Sequence, residues 1–438
     1  MAVKRVGWWP LVVAGVVGEA VYLAASLRLP WWRYAAHLQS WSQLLGGDWR
    51  PLAACLAGIG VLAAAYLWGW HLARRATAAR RTRAVRRVVW AFTGLYAATA
   101  FWLLPITSDL FGYLVKAHLY TDLGQNPLED APLEGPRDRF VLAYQGPYAG
   151  YSSAYGPAWI LLSAPATLGR YDVMGGLLYL KGLTAAAYLG CAWLLERLLR
   201  RLRPDGALTG LYLFAWNPLV VLLAVGDGHN DIVMMALALL AVWLLLRERW
   251  LPASVALALS IWVKYASVLL LPLFVIYAWR RLGQEPGARR WVVLAGSAGS
   301  MAAVTVLVFL PLWGEEGLSG LAGRFLRPAN WPGSGSGLPS EAMVLGLVFF
   351  ALAYLGLLWW LIGRDGACQD LCHGAFLALL LVFVLGAARS QPWHLIWPAA
   401  LAGLSGRRWA WPVVAGLSVL LLAAQVWVEW GAPGWPAG

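Results

Sequence analysis

The sequence predicts an all-α polytopic membrane protein, and three observations support this fold class. Of the 438 residues, 61% are hydrophobic and 13% are charged, whereas soluble domains carry about a quarter charged residues. Apolar runs of about twenty residues recur along the chain, and this is the length of a helix that crosses a bilayer. The runs lack the alternation of barrel strands, and a helix satisfies its own backbone in hydrocarbon.

Arginine marks the predicted cytoplasmic ends of these runs. The net charge of +13 comes mainly from arginines in short segments such as 74–87 and 197–203, as the positive-inside rule expects. Membrane topology therefore explains the charge, and no nucleic-acid partner is needed. Lysine is rare, and it occurs only at Lys4, Lys116, Lys181 and Lys264.

Alternating the runs between the two sides of the membrane gives about thirteen crossings, with the N-terminus in the cytoplasm. Glu19 within the first run and the lack of a clear cleavage site favour a retained first helix over a signal peptide. The stretch 251–279 is too long for one crossing. It is predicted to form two short crossings that meet outside near Lys264.

Two large outer loops are predicted, at 107–156 and 313–340. In and beside the first loop, segments 110–120 and 157–168 are expected to form short amphipathic helices at the membrane surface. The predicted organisation has three parts: two accessory helices with a basic cytoplasmic loop at 1–85, a transmembrane core at 86–405, and a last helix with an outer tail at 406–438.

Chemically mixed polar side chains collect at the predicted outer ends of the runs. Charged groups near hydrocarbon are costly unless they are paired or used, so this one-sided collection predicts a functional site. Its densest part is VGDGHND at 225–231, because a simple turn needs neither two carboxylates nor an imidazole. The candidate residues are Asp109, Lys116, Tyr155, Asp227, His229, Asn230, Asp231, Lys264, Arg389 and His394.

Several candidates also have a purely structural interpretation. Ser108 or Asp109 could cap the helix that follows them. Asn230 is the expected cap of the next apolar helix, which leaves His229 and Asp231 as the preferred site residues in that stretch.

Three basic candidates, Lys264, Arg389 and His394, suit an anionic group such as phosphate. Arg389 and His394 flank a Pro-Trp at a predicted helix start, and helix N-termini favour anions. The alternatives are a snorkelling lysine and an aromatic belt with incidental charges.

A metal site is not expected. The segment CQDLCH at 368–373 lacks the second ligand pair of a structural zinc site. The carboxylates of Asp109, Asp227 and Asp231 have the oxygen ligands of a hard cation, and they are the alternative that stays open.

Six motifs occur in an order that resembles a known family. They are TSDLFGY, GQNPL, YGPAW, WNPLVVLLAVGDGHND, WVKYASVLLLP and QPWHLIWP, between about residues 86 and 405. This order resembles the polyprenyl-phosphate-mannose-dependent α-mannosyltransferases of actinobacteria, which belong to the GT-C superfamily of integral membrane glycosyltransferases. NPL with GHND is the most specific part. His394 departs from the family pattern, because many relatives have an aromatic residue there.

The resemblance implies a GT-C fold and an inverting glycosyltransferase of the cell envelope in a bacterial plasma membrane. A sugar, mannose by this resemblance, would pass from polyprenyl phosphate to a hydroxyl of a glycan, glycolipid or protein on the outer face. Asp109 would be the general base. Lys264, Arg389 and His394 would bind the donor phosphate. The sugar or acceptor would contact Asp227, His229, Asn230, Asp231, Tyr155 and Lys116.

No cofactor is required in this interpretation, and a divalent cation is not expected, because a monophosphate leaving group carries less charge than a diphosphate. The alternative function is a transporter or flippase of a lipid-linked sugar. Transporters usually show internal repeats and ionisable residues near the middle of the membrane. Here the ionisable residues crowd one face, with Glu19 as the exception. Other sugars within the same superfamily are not separated by the sequence.

Overall fold

The computed structural model describes residues 8–34, 41, 49–78, 82–134, 141, 149–168, 173–284, 287–314, 341–385 and 390–429. Arg389, most of the predicted outer loop 313–340 and the tail after residue 429 lie outside the described residues. Within the described ranges the regular structure is helical, apart from one isolated bridge between Pro30 and Leu103. The predicted all-α polytopic architecture is confirmed.

The helices follow the apolar runs closely. In the first half of the chain they are α1 Trp9–Arg28, α2 Trp49–Ala78, α3 Thr82–Ala100, α4 Asp109–Thr121, α5 Pro157–Ser163, α6 Val173–Leu202, α7 Ala207–Ala215 and α8 Pro218–Val220. In the second half they are α9 Asp231–Leu245, α10 Trp250–Val263, α11 Leu270–Arg281, α12 Gly287–Phe309, α13 Glu341–Ile362, α14 Cys368–Leu385, α15 Ile396–Ala402 and α16 Ala410–Glu429.

Seven helices in the described part of the chain are long and apolar enough to cross a membrane, and there are eight if the bent pair Pro204–Ala215 and Pro218–Gly226 forms one span. Helices α9 and α10 are shorter apolar helices. Helix α15 has seven residues and is about 10 Å long, against a hydrocarbon core of about 30 Å. The run 393–405 is therefore not a full-length helical span. The total of about thirteen crossings stays a prediction.

Two breaks in the helices bring polar groups into the bundle. Trp216 and Asn217 separate α7 from α8, with a bend of 48°, and the Asn217 side chain accepts the Leu219 N–H at 3.0 Å. Proline has no N–H to donate, so the helix stops and restarts there. The predicted break near Lys264 is also present, since this residue is extended between α10 and the turn Tyr265–Leu269.

The arginine-bearing helix ends meet at one end of the bundle. Arg203 Nη1 donates to the Gly403 carbonyl at 3.0 Å, which joins α6 to the segment after α15. Arg86 Nε lies 2.6 Å from Glu196 Oε1 and joins α3 to α6. Both contacts join arginine-bearing segments of the bundle, and the side of the membrane on which these segments lie stays a prediction.

Glu19 has a structural partner within the helix bundle. The Thr99 hydroxyl of α3 donates to its carboxylate, and the Ser26 hydroxyl of α1 donates to the Thr99 carbonyl at 2.8 Å. The exceptional carboxylate therefore joins α1 to α3. The predicted boundaries at residues 85 and 405 stay predictions.

The two short helices predicted near the first outer loop are present as α4 and α5, but α4 is enclosed by protein. Its residues from Asp109 to Leu119 are all buried, and it packs against α5 and α6. The mixed polar and apolar pattern of α4 thus reflects polar partners inside the bundle, whereas a surface helix would leave one face exposed.

Candidate active site

The stretch VGDGHND lies inside the bundle, beside Lys181 in the first half of α6, whereas Arg200 and Arg201 lie in the last turn of that helix. It connects the π-helical turn Val221–Gly226, which continues α8, to the start of α9. All four of its polar side chains are at most 1% exposed: Asp227, His229, Asn230 and Asp231. An exposed polar turn is therefore excluded for this segment.

The backbone of this stretch makes a tight inward bend. The Asp227 N–H bonds to the Leu222 carbonyl at 2.8 Å, five residues earlier, as in a π-helix, and π-turns are frequent at functional sites. Gly228 has φ +74°, and a Cβ there would lie 2.8 Å from the Leu110 side chain. Glycine is required here by its backbone conformation and by the close approach of α4.

Asp109 begins α4 and faces this stretch. Its Oδ2 accepts a hydrogen bond from the Tyr155 hydroxyl at 3.1 Å and lies 3.5 Å from His229 Nδ1. Ser108 makes no side-chain capping bond. The capping interpretation of Ser108 is therefore wrong, and the Asp109 side chain takes part in the polar cluster. The helix N-terminus favours its negative charge.

His229 lies between two carboxylates, with one near each ring nitrogen. Its Nε2 is 3.4 Å from Asp227 Oδ2 and 3.4 Å from the Thr107 hydroxyl. The imidazole stacks on the Trp393 ring at 4.2 Å between centroids. These contacts fix the plane of the ring and direct Nδ1 toward Asp109.

The positive charge of His229 and the negative charges of Asp109 and Asp227 stabilise each other. Burial disfavours a charged His229, but hydrogen bonding and charge interaction with Asp109 and Asp227 outweigh it and raise the pKa of His229 to about 9. Burial alone would raise the pKa of Asp109. His229, the Lys264 charge and the Tyr155 hydrogen bond outweigh that effect and hold the Asp109 pKa below its ordinary value. Asp109 is thus ionised at neutral pH.

Lys264 is held by a second buried carboxylate. Its Nζ lies 2.8 and 2.9 Å from the two Asp231 carboxylate oxygens, and the Trp397 indole N–H donates to the same carboxylate. The ammonium also lies 5.6 Å from the Tyr155 ring centre and 5.4 Å from the Trp397 ring centre. At these distances both rings favour the cation, so Asp231 positions Lys264 between two aromatic faces.

The YGP motif brings Tyr155 between Asp109 and Lys264. The Gly156 N–H donates to the Val263 carbonyl at 3.3 Å, and a Cβ on Gly156 would lie 2.1 Å from the Trp262 carbonyl oxygen. The loop before α5 is therefore pressed against the end of α10. Glycine permits this close approach.

His394 lies beside Lys264 and Trp397 but is not a cation at neutral pH. Its Nδ1 accepts the Gln391 N–H at 3.1 Å, and its ring stacks on Trp397 at 4.5 Å. Burial, followed by the charges of Lys264 and His229, holds the pKa of His394 well below its usual value. The expected positive charge of His394 is corrected to a neutral imidazole, whose Nε2–H is a hydrogen-bond donor.

Asn230 points into the site. Its Oδ1 accepts the Tyr113 hydroxyl at 3.4 Å, and it makes no side-chain capping bond to α9, so its predicted role as the cap is wrong. Asn230 Nδ2 is buried without a hydrogen-bond partner. Buried polar atoms are normally satisfied, so this atom is a candidate for a contact to a ligand hydroxyl.

Lys116 lies two helical turns beyond Asp109 on α4, about 10 Å along the axis. Burial lowers its pKa to about 8, and the Asp109 carboxylate partly offsets the effect. Its position separates it from the contacts between Asp109 and His229. Arg389 lies outside the described residues.

Sequence reasoning missed five residues that support the site: Thr107, Tyr113, Lys181, Trp393 and Trp397. Both tryptophans stood in the quoted QPWHLIWP motif beside His394. In the sequence, only the rarity of lysine pointed to Lys181. It is fully buried, and its Nζ donates to the Leu103 carbonyl at 2.8 Å and to the Gly226 carbonyl. It thereby anchors the π-helical turn before Asp227.

The carboxylates of the site have nitrogen partners. Asp231 pairs with Lys264, and Asp109 and Asp227 share His229. Among the residues that the structure describes, no group of three or more His, Cys, Asp or Glu side chains has the arrangement of a metal site.

Comparison with known proteins places this chain among mannosyltransferases. Residues 12–281 match the family model described as "Alpha-(1->6)-mannopyranosyltransferase, N-terminal domain". Alpha-(1->6)-mannopyranosyltransferase A of Mycobacterium tuberculosis is 27% identical over 443 residues, which cover 93% of this chain and 80% of that protein. Alpha-(1->6)-mannopyranosyltransferase B of Corynebacterium glutamicum is 27% identical over 176 residues, or 36% of this chain and 29% of that protein.

The matched family model extends from α1 to the end of α11. It includes Asp109, Tyr155, the whole VGDGHND stretch and Lys264, and it covers more than half of the chain. The predicted resemblance is confirmed, and the chain belongs to the alpha-(1->6)-mannopyranosyltransferase family.

Proposed function

We propose that the protein is an inverting mannosyltransferase that uses a polyprenyl-phosphate donor, with Asp109 as the general base. The observation that supports this most directly is the buried contact group around Asp109, which joins an ionised carboxylate to His229 and Tyr155. Lys264 Nζ lies 5.6 Å from the centre of the same Tyr155 ring. A base and a cation thus flank one region, as transfer from a sugar phosphate requires.

The proposed reaction is a single displacement. The acceptor oxygen attacks the anomeric carbon of mannose while its proton passes to an Asp109 oxygen. The bond between the anomeric carbon and the phosphate oxygen breaks, and polyprenyl phosphate leaves with the bonding electron pair. Attack opposite to the leaving group inverts the anomeric centre, so a β-linked donor gives an α-linked product.

Asp109 suits the role of base because it stays ionised at neutral pH. A sugar hydroxyl is a very weak acid, but it loses its proton readily as the new C–O bond forms. His229 supports this step by holding the carboxylate from one side. When Asp109 takes up the proton, the imidazolium charge of His229 is still paired with Asp227, so no isolated buried charge is created.

Lys264 is the proposed stabiliser of the leaving phosphate. Negative charge grows on the phosphate as the sugar acquires oxocarbenium character, and a cation that is already fixed in place lowers the barrier without reorganisation. The bond to Asp231 provides this fixation. His394 would donate its Nε2–H to the phosphate, and Arg389 is proposed as a further phosphate ligand from its position in the sequence.

One carbohydrate contact is assigned to a buried polar atom without a partner. Asn230 Nδ2 would donate a hydrogen bond to a sugar or acceptor hydroxyl. Lys116 is kept as a candidate for the acceptor side, because it is buried on the helix that carries Asp109. No cofactor is proposed, since each site carboxylate already has a nitrogen partner in Lys264 or His229.

The site is proposed to face the outer side of a bacterial plasma membrane, with the N-terminus in the cytoplasm. The support is the separation of the two bundle ends, with the arginine contacts at one end and VGDGHND at the other. The lipid-linked donor would enter from the membrane, and the acceptor would be a glycan, a glycolipid or a protein.

The transporter alternative has less support. Glu19, the exception to the one-sided distribution of ionisable residues, accepts a hydrogen bond from the Thr99 hydroxyl at the contact between α1 and α3. This contact gives Glu19 a role in helix packing that does not require transport.

The proposed function is tested by offering the purified protein a panel of radiolabelled donors with an oligomannoside acceptor. The panel contains polyprenyl-phosphate mannose, polyprenyl-phosphate glucose, polyprenyl-phosphate arabinose and GDP-mannose. We expect α-linked product from polyprenyl-phosphate mannose alone. Product from GDP-mannose, or movement of the lipid-linked sugar across vesicles without any transfer, would overturn the proposal.

A further inference from the structure

A cavity lies at the arginine-bearing end of the bundle, away from the candidate active site. Its volume is about 380 Å³, and its wall includes Leu245, the last residue of α9. Asp231 is the first residue of the same helix, so the two sites are about 20 Å apart along its axis. The cavity is therefore separate from the site that contains Asp109.

Three arginines from different elements converge on this cavity. Arg201 comes from the end of α6, Arg247 from the turn after α9, and Arg281 from the end of α11. Glu248 is the carboxylate of the wall, and it lies 3.0 Å from Arg281. Within the described ranges no carboxylate pairs with the other two arginines. The Arg247 guanidinium lies 3.8 Å from the centre of the Trp243 ring, and this contact leaves its positive charge in place. The charges of Arg201 and Arg247 at the cavity are therefore not balanced by a carboxylate.

Membrane insertion alone does not explain this arrangement. The positive-inside rule requires arginines near the cytoplasmic ends of helices, but it does not require them to surround a common space. The backbone of the cavity wall also has an unusual conformation at two residues. Glu248 has φ +56°, the one positive φ of a non-glycine residue in the part of the chain that is described, and Gly366 has φ +76°. Such conformations concentrate at ligand sites.

We propose that this cavity binds the phosphate of an anionic phospholipid head group from the cytoplasmic leaflet. Guanidinium groups bind phosphate oxygens through paired hydrogen bonds. Basic pockets between transmembrane helices on the cytoplasmic side suit lipid head groups. The wall combines these arginines with Leu245, Leu246 and Tyr277, which suits a head group attached to acyl chains better than it suits a free anion.

The proposal is tested by lipid binding to the purified full-length protein in mixed micelles, measured by native mass spectrometry. The probes are dioleoyl phosphatidylglycerol, dioleoyl phosphatidylcholine and inorganic phosphate. The variants are Arg201→Gln, Arg247→Gln and their combination. The matched control is Arg408→Gln, an exposed arginine before α16 that does not line the cavity.

We expect wild type and Arg408→Gln to bind phosphatidylglycerol at least tenfold more tightly than phosphatidylcholine. We expect each cavity variant to weaken phosphatidylglycerol binding about tenfold, since an arginine–phosphate bond is charge-assisted. Equal phosphatidylglycerol binding by wild type and the double variant would overturn the proposal. So would binding of inorganic phosphate with no preference for the anionic lipid, which would assign the cavity to a soluble phosphate compound.

The single variants keep the test valid if the double variant misfolds. If the double variant does not fold, Arg201→Gln and Arg247→Gln still decide the question, because each removes one exposed side chain. Their unfolding in phosphatidylcholine micelles should match that of Arg408→Gln. A loss of lipid binding in a variant with unchanged unfolding then supports the site directly.

Discussion

Replacing Lys264 with methionine separates the structural role of this residue from its proposed catalytic role. The ammonium is paired with Asp231, and the two side chains are 13% and 0% exposed. Removing one partner of a buried ion pair leaves an uncompensated charge and costs about 3–5 kcal/mol. We therefore expect Lys264→Met to lower the free energy of unfolding by about this amount.

The double variant Lys264→Met/Asp231→Asn removes the uncompensated charge as well. Stability should then recover by most of the loss, because a neutral amide can still accept the Trp397 hydrogen bond and is less costly to bury. Mannose transfer should not recover. Loss of a fixed electrostatic stabiliser reduces turnover about 100- to 1,000-fold, and the double variant still lacks the cation.

The assay pairs SDS titration of the protein in mixed micelles with transfer from polyprenyl-phosphate mannose. Unchanged stability of Lys264→Met would show that the ion pair with Asp231 is not formed. Full activity of the stable double variant would refute the role of Lys264 at the phosphate. The first result would reject the ion pair, and the second would reject the catalytic role of Lys264.

Three further predictions follow from other contacts. Pairing with Asp109 and Asp227 outweighs the effect of burial and raises the pKa of His229 from 6.5 to about 9. Protonated His229 therefore contributes about 3 kcal/mol to the free energy of unfolding below pH 6.5, and this contribution is lost as the pH rises through 9. His229→Gln should flatten this part of the profile of unfolding free energy against pH, and an unchanged profile would refute the pairing. Gly156→Ala should reduce transfer about 100-fold, because a Cβ would lie 2.1 Å from the Trp262 carbonyl and displace Tyr155, whereas Gly150→Ala has open space and should retain activity. EDTA should leave transfer unchanged, because protein nitrogens already pair with the site carboxylates; inhibition that a divalent ion reverses would show a metal requirement.

Much of the helical architecture could be predicted because apolar run length is a local property. The ends of α1, α9, α13 and α16 lie within a few residues of the predicted runs, and the break at Lys264 followed from one charged residue within a long run. The enclosure of α4 could not be predicted in this way. Its burial depends on α5 and α6, which are distant in sequence.

The candidate site could be predicted as a set of residues, but the pairing within it could not. Topology placed VGDGHND and Lys264 at one end of the bundle, and the structure brings them into contact. The sequence did not indicate that Asp231 would hold Lys264, or that His229 would lie between two carboxylates. These pairings depend on the π-helical turn and on Gly228, which set the directions of the side chains. Local sequence propensity does not predict these directions.

The cap assignment at Asn230 failed for a related reason. Asparagine is a favourable cap when its side chain turns back to the helix backbone. Here α4 supplies the Tyr113 hydroxyl as a competing partner. A tertiary contact overrides the local preference, and the residue that resembled a structural cap belongs to the polar interior.

The most direct test of the proposed mechanism is mannose transfer by Asp109→Asn, measured in a single turnover with polyprenyl-phosphate mannose. The control is Asp205→Asn, an exposed carboxylate in the turn Pro204–Gly206 before α7. The mechanism predicts that Asp109→Asn still folds and binds the donor while transfer falls about 100- to 10,000-fold, and that Asp205→Asn is unaffected. Transfer by Asp109→Asn at the wild-type rate would contradict the assignment of the general base.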